Sequence, residues 1–159
     1  MTVGVRIELS GLEAWPSLAE TGPPVLRGIR LALEAAGAPL RGEVSLAFVD
    51  ARAMAELNRR WLDREGPTDV IAFDLGEPGA DGVRELVGDV YVCPDVAVAA
   101  SAEPGGPGPA EELVRLAIHG VLHVLGHDHP EDGTRWECDM YRLQESLLAR
   151  ALEAGDRET

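Results

Sequence analysis

The chain has 159 residues, 28 acidic against 14 basic, and a formal charge of −14 at pH 7. At 45% hydrophobic it is too apolar for a disordered acidic tail, and at 26% charged it is too polar for a membrane protein. The acidic surplus argues against general affinity for nucleic acid, which needs a net basic face.

Val3 to Leu9 alternates, with Val3, Val5, Ile7 and Leu9 on one side, and predicts a half-buried strand. Pro23 and Pro24 open a helical segment carrying Val25, Leu26, Ile29, Leu31 and Leu33, and Gly37 closes it. Val44 to Val49 reads as a second strand. Asp50 then caps a helix over Ala51 to Leu62, with Met54, Leu57 and Trp61 on one stripe. Gly66 and Pro67 break the chain before a short apolar strand, Val70 to Phe73. Leu86 to Cys93 is the fourth strand, ended by Pro94, and Val96 to Ala102 is a short helix. After the Pro104–Pro109 loop, Ala110 to Leu125 is a helix with a broad apolar stripe, stopped by Gly126. Thr134 to Ala154 is the last helix, with Met140, Leu143, Leu147 and Ala151 on one face. Strands and helices that do not strictly alternate imply an α+β fold, a four-stranded mixed sheet packed with about five helices.

The length predicts a single domain over residues 1–159, large enough to fold without disulfides. Cys93 and Cys138 form no metal pair in sequence and are expected to be reduced thiols. The N-terminal MTVGVRIELS lacks the basic start and apolar block of a secretory signal, and no run of about 18 apolar residues occurs. A cytoplasmic protein with no membrane association is expected. Every basic residue is Arg, which suits forked contacts to phosphate; codon bias produces the same pattern.

All four histidines fall between His119 and His129. His119 and His123 are i and i+4 on the predicted helix, so both imidazoles project from one face. Gly126 lets the chain leave the helix through a left-handed turn and bring His129 back as a third ligand. Three protein ligands leave a position open for water, the pattern of a catalytic zinc. Nickel, copper and iron also accept imidazole, and zinc suits the set best. H-x-x-x-H-x-x-G-x-x-H has the metzincin ligand spacing, yet Gly120 stands where that pattern has its Glu base. Peptide hydrolysis by that route is disfavoured because Gly transfers no proton. Asp128, beside the third ligand, is a candidate to orient an imidazole or handle a proton, or else a turn-forming residue. His127 reads as solvent-facing or substrate-adjacent.

His119-Gly120-x-Leu122-His123-x-x-Gly126-x-Asp128-His129 resembles the signature of the YbeY-type endoribonucleases, the bacterial rRNA maturation factors. Leu57-Asn58-x-x-Trp61, Pro67-Thr68-Asp69-Val70-Ile71-Ala72-Phe73, Gly88-Asp89-Val90 and Glu112-Leu113 resemble further segments of that family, in order. The resemblance covers roughly residues 43 to 148. It implies a zinc ion held by His119, His123 and His129, and cleavage of single-stranded RNA. It also implies a role in 16S rRNA 3′-end maturation and ribosome quality control, with the ribosome or its small subunit and associated proteins as partners. Many members carry Arg directly after the aromatic of the L-N-x-x-aromatic segment, where this chain has Leu62. Arg59 and Arg60, with Arg64, flank that position as candidate substrate-binding residues. The segment Arg52 to Arg64 holds four Arg against Glu56 and Asp63 in a strongly acidic chain. A solvated amphipathic helix explains the same charges. Two other readings stay open: a non-enzymatic ribosome assembly factor with a structural zinc, and a zinc peptidase with an unusual base.

Overall fold

Burial alternates along the strands, so one face of the sheet is buried under helices while the other is covered mainly at the side formed by the Val70–Asp74 and Arg84–Val92 strands. The computed structural model describes residues 4–37, 39–77, 81–102, 104–105, 108–129 and 138–157. Strands β1 (Val5–Ser10), β2 (Leu40–Phe48), β3 (Val70–Asp74) and β4 (Arg84–Val92) form one sheet in the order β1-β2-β4-β3. The first three in that order run parallel, while β3 pairs antiparallel to β4 and forms an edge. Five helices surround it: α1 (Gly22–Glu34), α2 (Ala51–Leu62), α3 (Pro94–Ser101), α4 (Pro109–Val124) and α5 (Asp139–Arg157). The mixed four-stranded sheet with five helices is the architecture expected.

Several boundaries differ from expectation. β2 begins at Leu40 rather than Val44 because Leu40 is buried and pairs with Arg84, a partner the polar run Arg41-Gly42-Glu43 hides in sequence. Pro94 does more than end β4; it occupies the first turn of α3, where its missing N–H costs nothing. Two 3-10 turns, Leu12–Ala14 and Pro16–Thr21, connect β1 to α1 with no periodicity to announce them. The expected start of the last helix at Thr134 lies outside the described residues, as does Val3 at the start of β1. Asp50 caps α2 as predicted, its Oδ1 accepting from the Ala53 N–H at 2.8 Å. Neither Cys93 nor Cys138 is in a disulfide, as expected.

One face of the sheet carries Leu40, Val44, Leu46, Leu86 and Val90 into a core shared with α1, α4 and α5. The other carries Ile71, Phe73 and Tyr91 against Met54 and Leu57 of α2. Helix α4 is the most enclosed element, and two glycines let it approach the sheet. A Cβ at Gly88 would meet Val124 Cγ1 at 2.5 Å, and one at Gly120 would meet Val90 Cγ1 at 2.4 Å. The helix that carries two of the histidines is therefore pressed directly onto β4 and β3. Among the described residues no helix is long and apolar enough to cross a membrane.

Candidate metal centre

His119 and His123 stand one turn apart near the C-terminal end of α4. That end is closed by a Schellman turn: the Gly126 N–H donates to the His123 carbonyl (3.0 Å) and the His127 N–H to the Leu122 carbonyl (2.9 Å). Gly126 takes φ 101°, the left-handed conformation read from its position in the motif. Arg84 of β4 secures the same end, donating to the carbonyls of Leu125 (2.7 Å) and Val124 (3.0 Å) while pairing with Asp74 (3.2 Å). The reversed chain brings His129 against the helix. Ring centroids then lie 4.6 Å (His119–His123), 5.2 Å (His119–His129) and 5.1 Å (His123–His129) apart. One nitrogen from each ring lies within 4.8 Å of the others. The three histidines thus form a group able to hold one metal ion.

Hydrogen bonds decide which nitrogens face the centre. His123 Nδ1 lies 3.0 Å from the His127 carbonyl, which can only accept, so Nδ1 carries the proton. His119 Nδ1 lies 2.6 Å from Gln144 Oε1. The Gln144 amide nitrogen is committed to Glu145 (3.0 Å), which sets the amide orientation and makes Oε1 the acceptor. Both Nε2 atoms are therefore unprotonated in the neutral rings, and they sit 3.0 Å from each other. Two lone pairs at that distance repel unless a cation lies between them. Burial, reinforced by His123 and His129, pushes His119 down to about 4, so it is neutral and ligand-ready at pH 7. The donor set fits a divalent metal that accepts imidazole.

Gln144 belongs to a longer relay. Glu145 takes a forked contact from Arg115 (2.9 and 3.2 Å), and Arg115 also reaches Glu112 and Glu111 (3.3 Å each). Burial opposes the Arg115 charge, and Glu145, Glu112 and Glu111 together more than offset it, raising the guanidinium above its ordinary value. Burial likewise pushes the Glu112 carboxyl up, with Arg115 opposing. Sequence reasoning missed this relay, although one signal was present: Gln144, the chain's sole Gln, interrupts the apolar face of α5 and is 2% exposed.

The histidines open into a cavity of about 650 Å³ that also includes Asp69, Glu112, Asp128 and Arg64 in its wall. Asp128 is exposed, and its Oδ1 accepts from the His129 N–H (2.8 Å). Leu62 lines the cavity, whereas Arg59 and Arg60 do not. Arg59 pairs with Glu56 (2.6 Å) and Arg60 lies over the Trp61 ring. Arg64 reaches the cavity because the chain turns sharply after α2. Asp63 takes a left-handed conformation (φ 53°), the Arg64 N–H donates to the Asn58 carbonyl (3.2 Å), and Asn58 Nδ2 donates to the Gly66 carbonyl (2.9 Å). That buried Asn braces the loop, which gives the Leu57-Asn58 pair its structural reason.

A family model described as endoribonuclease YbeY matches residues 25–152. The chain belongs to the endoribonuclease YbeY family. The Endoribonuclease YbeY of Salinispora tropica is 44% identical over 135 residues, covering 79% of this chain and 84% of that relative. Those of Beutenbergia cavernae (44% identical, 68% of this chain, 73% of the relative) and Thermobifida fusca (43%, 72% and 77%) agree. The solution structure of TM1509 from Thermotoga maritima shares the fold, with TM-score 0.56 and 22% identity over 97% of this chain and 93% of that one. Membership of the YbeY family makes the chain one of an enzyme family, with its histidine group in the wall of a cavity of about 650 Å³. It also recasts Gly120. The position reads as a hydrolase site lacking its base, but it faces Val90 and has no room for any side chain.

Proposed function

We propose that this chain is a zinc-dependent endoribonuclease that cleaves single-stranded RNA. It acts as a single domain in the cytoplasm, in 16S rRNA 3′-end maturation and ribosome quality control, together with the ribosome or its small subunit and associated proteins. The observation that carries the reading is the pair of unprotonated Nε2 atoms of His119 and His123 facing each other beside His129, in a chain of the YbeY family. These three residues would hold the zinc, which when bound supplies Lewis-acid activation of water at neutral pH.

The chain's own residues supply positioning and charge. Gln144 and the His127 carbonyl hold two ligands in one tautomer. Arg64, which makes no side-chain ion pair among the described residues, is placed to meet a phosphate in the cavity, with Arg59 and Arg60 outside it on α2. Asp69, Glu112 and Asp128 favour a cation in the cavity and oppose an unscreened RNA anion, so substrate entry depends on the metal. A peptidase would need a base that position 120 has no space to provide.

Metal analysis paired with RNA cleavage tests the reading. The wild type is expected to carry about one zinc per chain and to cut single-stranded RNA, with His123→Ala losing both. A folded His123→Ala protein that still cuts RNA would remove the metal from the mechanism. Asp128 has a narrower test. We assign it to orienting His129, so Asp128→Asn, which keeps an acceptor for the His129 N–H, is expected to retain cleavage within about threefold. Asp128→Ala is expected to lose about tenfold or more. Equal, large losses in both variants would assign Asp128 to proton transfer instead.

A further inference from the structure

Trp61 continues the apolar stripe of α2 and reads in sequence as a residue packed into the core. In the fold it is 60% exposed, while Met54 on the same stripe is fully buried. Its ring meets Phe73 only edge-on (6.3 Å, 72°), and Phe73 in turn meets Tyr91 (6.2 Å, 77°). An exposed tryptophan with so little cover is unusual for a side chain that large.

Its surroundings point to the occupant. Leu62, next in the chain, lines the metal cavity, and so do Ala72 and Asp74, the two neighbours of Phe73 on the β3 edge. Phe73 itself faces the other side of the sheet, with Ile71 and Tyr91, so the ring stands beside the cavity, around the β3 edge from it. The Arg60 guanidinium lies 5.6 Å from the ring centroid and Arg64 follows at the turn, while Arg59 is held by Glu56. A wholly apolar protein patch would be a poor match for a tryptophan with the Arg60 guanidinium on its ring and Arg64 close by in the chain. A nucleic-acid strand matches both features, since its bases stack on aromatic faces while its phosphates meet guanidinium groups.

We propose that Trp61 is a base-stacking platform for single-stranded RNA at the β3 edge, beside the metal cavity, and that it gives the site its preference for unpaired strands. The proposal rests on the endoribonuclease reading for the identity of the strand. In a duplex the base faces are buried in the helical stack, so only an unpaired base can lie on the ring. Stacking is indifferent to base identity, so strand state rather than sequence is selected.

The test is binding of a fluorescein-labelled 2′-O-methyl octauridine by the full-length zinc-loaded protein, its duplex with octaadenosine, and the variants Trp61→Ala and Trp61→Phe. Trp61→Ala is expected to weaken single-strand binding by about 10-fold or more. Trp61→Phe is expected to hold it within about threefold, because a smaller ring still stacks. Duplex binding and zinc content should not change. Tryptophan emission of the wild type should be quenched by the oligonucleotide, and this quenching should be lost in Trp61→Phe. Equal single-strand affinity for wild type and Trp61→Ala overturns the proposal. Equal affinity combined with lost co-sedimentation with small ribosomal subunits overturns it in favour of a protein-facing role. Trp61-dependent binding without cleavage of the matching unmodified RNA upholds stacking and refutes the endoribonuclease reading. A wild type that binds neither RNA refutes both.

Discussion

Replacing Gln144 with Leu is expected to weaken metal binding by about 10- to 100-fold with the fold intact. Leu has nearly the volume of Gln and suits an apolar helix face, so packing on α5 survives. What disappears is the acceptor for His119 Nδ1, now 2.6 Å away. A buried imidazole N–H without a partner costs about 1–3 kcal/mol, and the ring can avoid that cost by turning or by moving its proton to Nε2. Either response takes the lone pair off the metal. Glu145 would lose one donor and keep its forked contact from Arg115, which explains why the damage stays local. Competition against a chromophoric chelator reads the affinity, and the visible spectrum of the cobalt-loaded protein reads the coordination geometry. Unchanged affinity and spectrum would show that Gln144 does not position His119.

Gly120→Ala is expected to destabilise the protein by about 1–3 kcal/mol, the cost of overpacking a well-filled core. Two effects oppose each other here. Ala is the better helix former by about 1 kcal/mol, which alone would make the variant more stable. The new Cβ, however, would sit 2.4 Å from Val90 Cγ1 and 3.3 Å from Val70 Cγ2. The first distance is far inside contact range, and Val90 is buried at 1% exposure on a central strand, with little freedom to withdraw. The clash wins. Urea unfolding should show a lower midpoint at an unchanged slope. Combining the change with Val90→Ala should recover part of the loss, since the two side chains compete for one space. Stability equal to or above the wild type would mean that α4 can lift from the sheet. Gly120→Glu should be worse still, and installing a protease-like base at this position should not yield a peptidase.

The features legible in sequence are those whose physics is local. The i, i+4 spacing of His119 and His123, the left-handed exit at Gly126 and the return of His129 all lie within a few turns of backbone, whose geometry is nearly independent of the rest of the chain. Asp50 as a cap and the four strand patterns belong to the same class. Together they make the three-histidine group, and with it the family resemblance, readable before any tertiary contact is known. Tertiary structure decided the rest because the contacts join residues far apart in the chain. Gln144 meets His119 across 25 positions, and Arg84 reaches the Leu125 carbonyl across 41. Arg84 carries no mark in its own neighbourhood, and Gln144 only the break it makes in the apolar face of α5. Gly120 reads as a missing base until Val90 is seen behind it. Trp61 reads as core until the helix is seen to leave it uncovered. Arg59 and Arg60 read as strongly as Arg64 until the turn at Asp63 carries only Arg64 to the cavity wall. Backbone spacing determined which atoms this protein offers to a metal; the packing of α4 between β4, α1 and α5 decided how those atoms are held and what stands beside them.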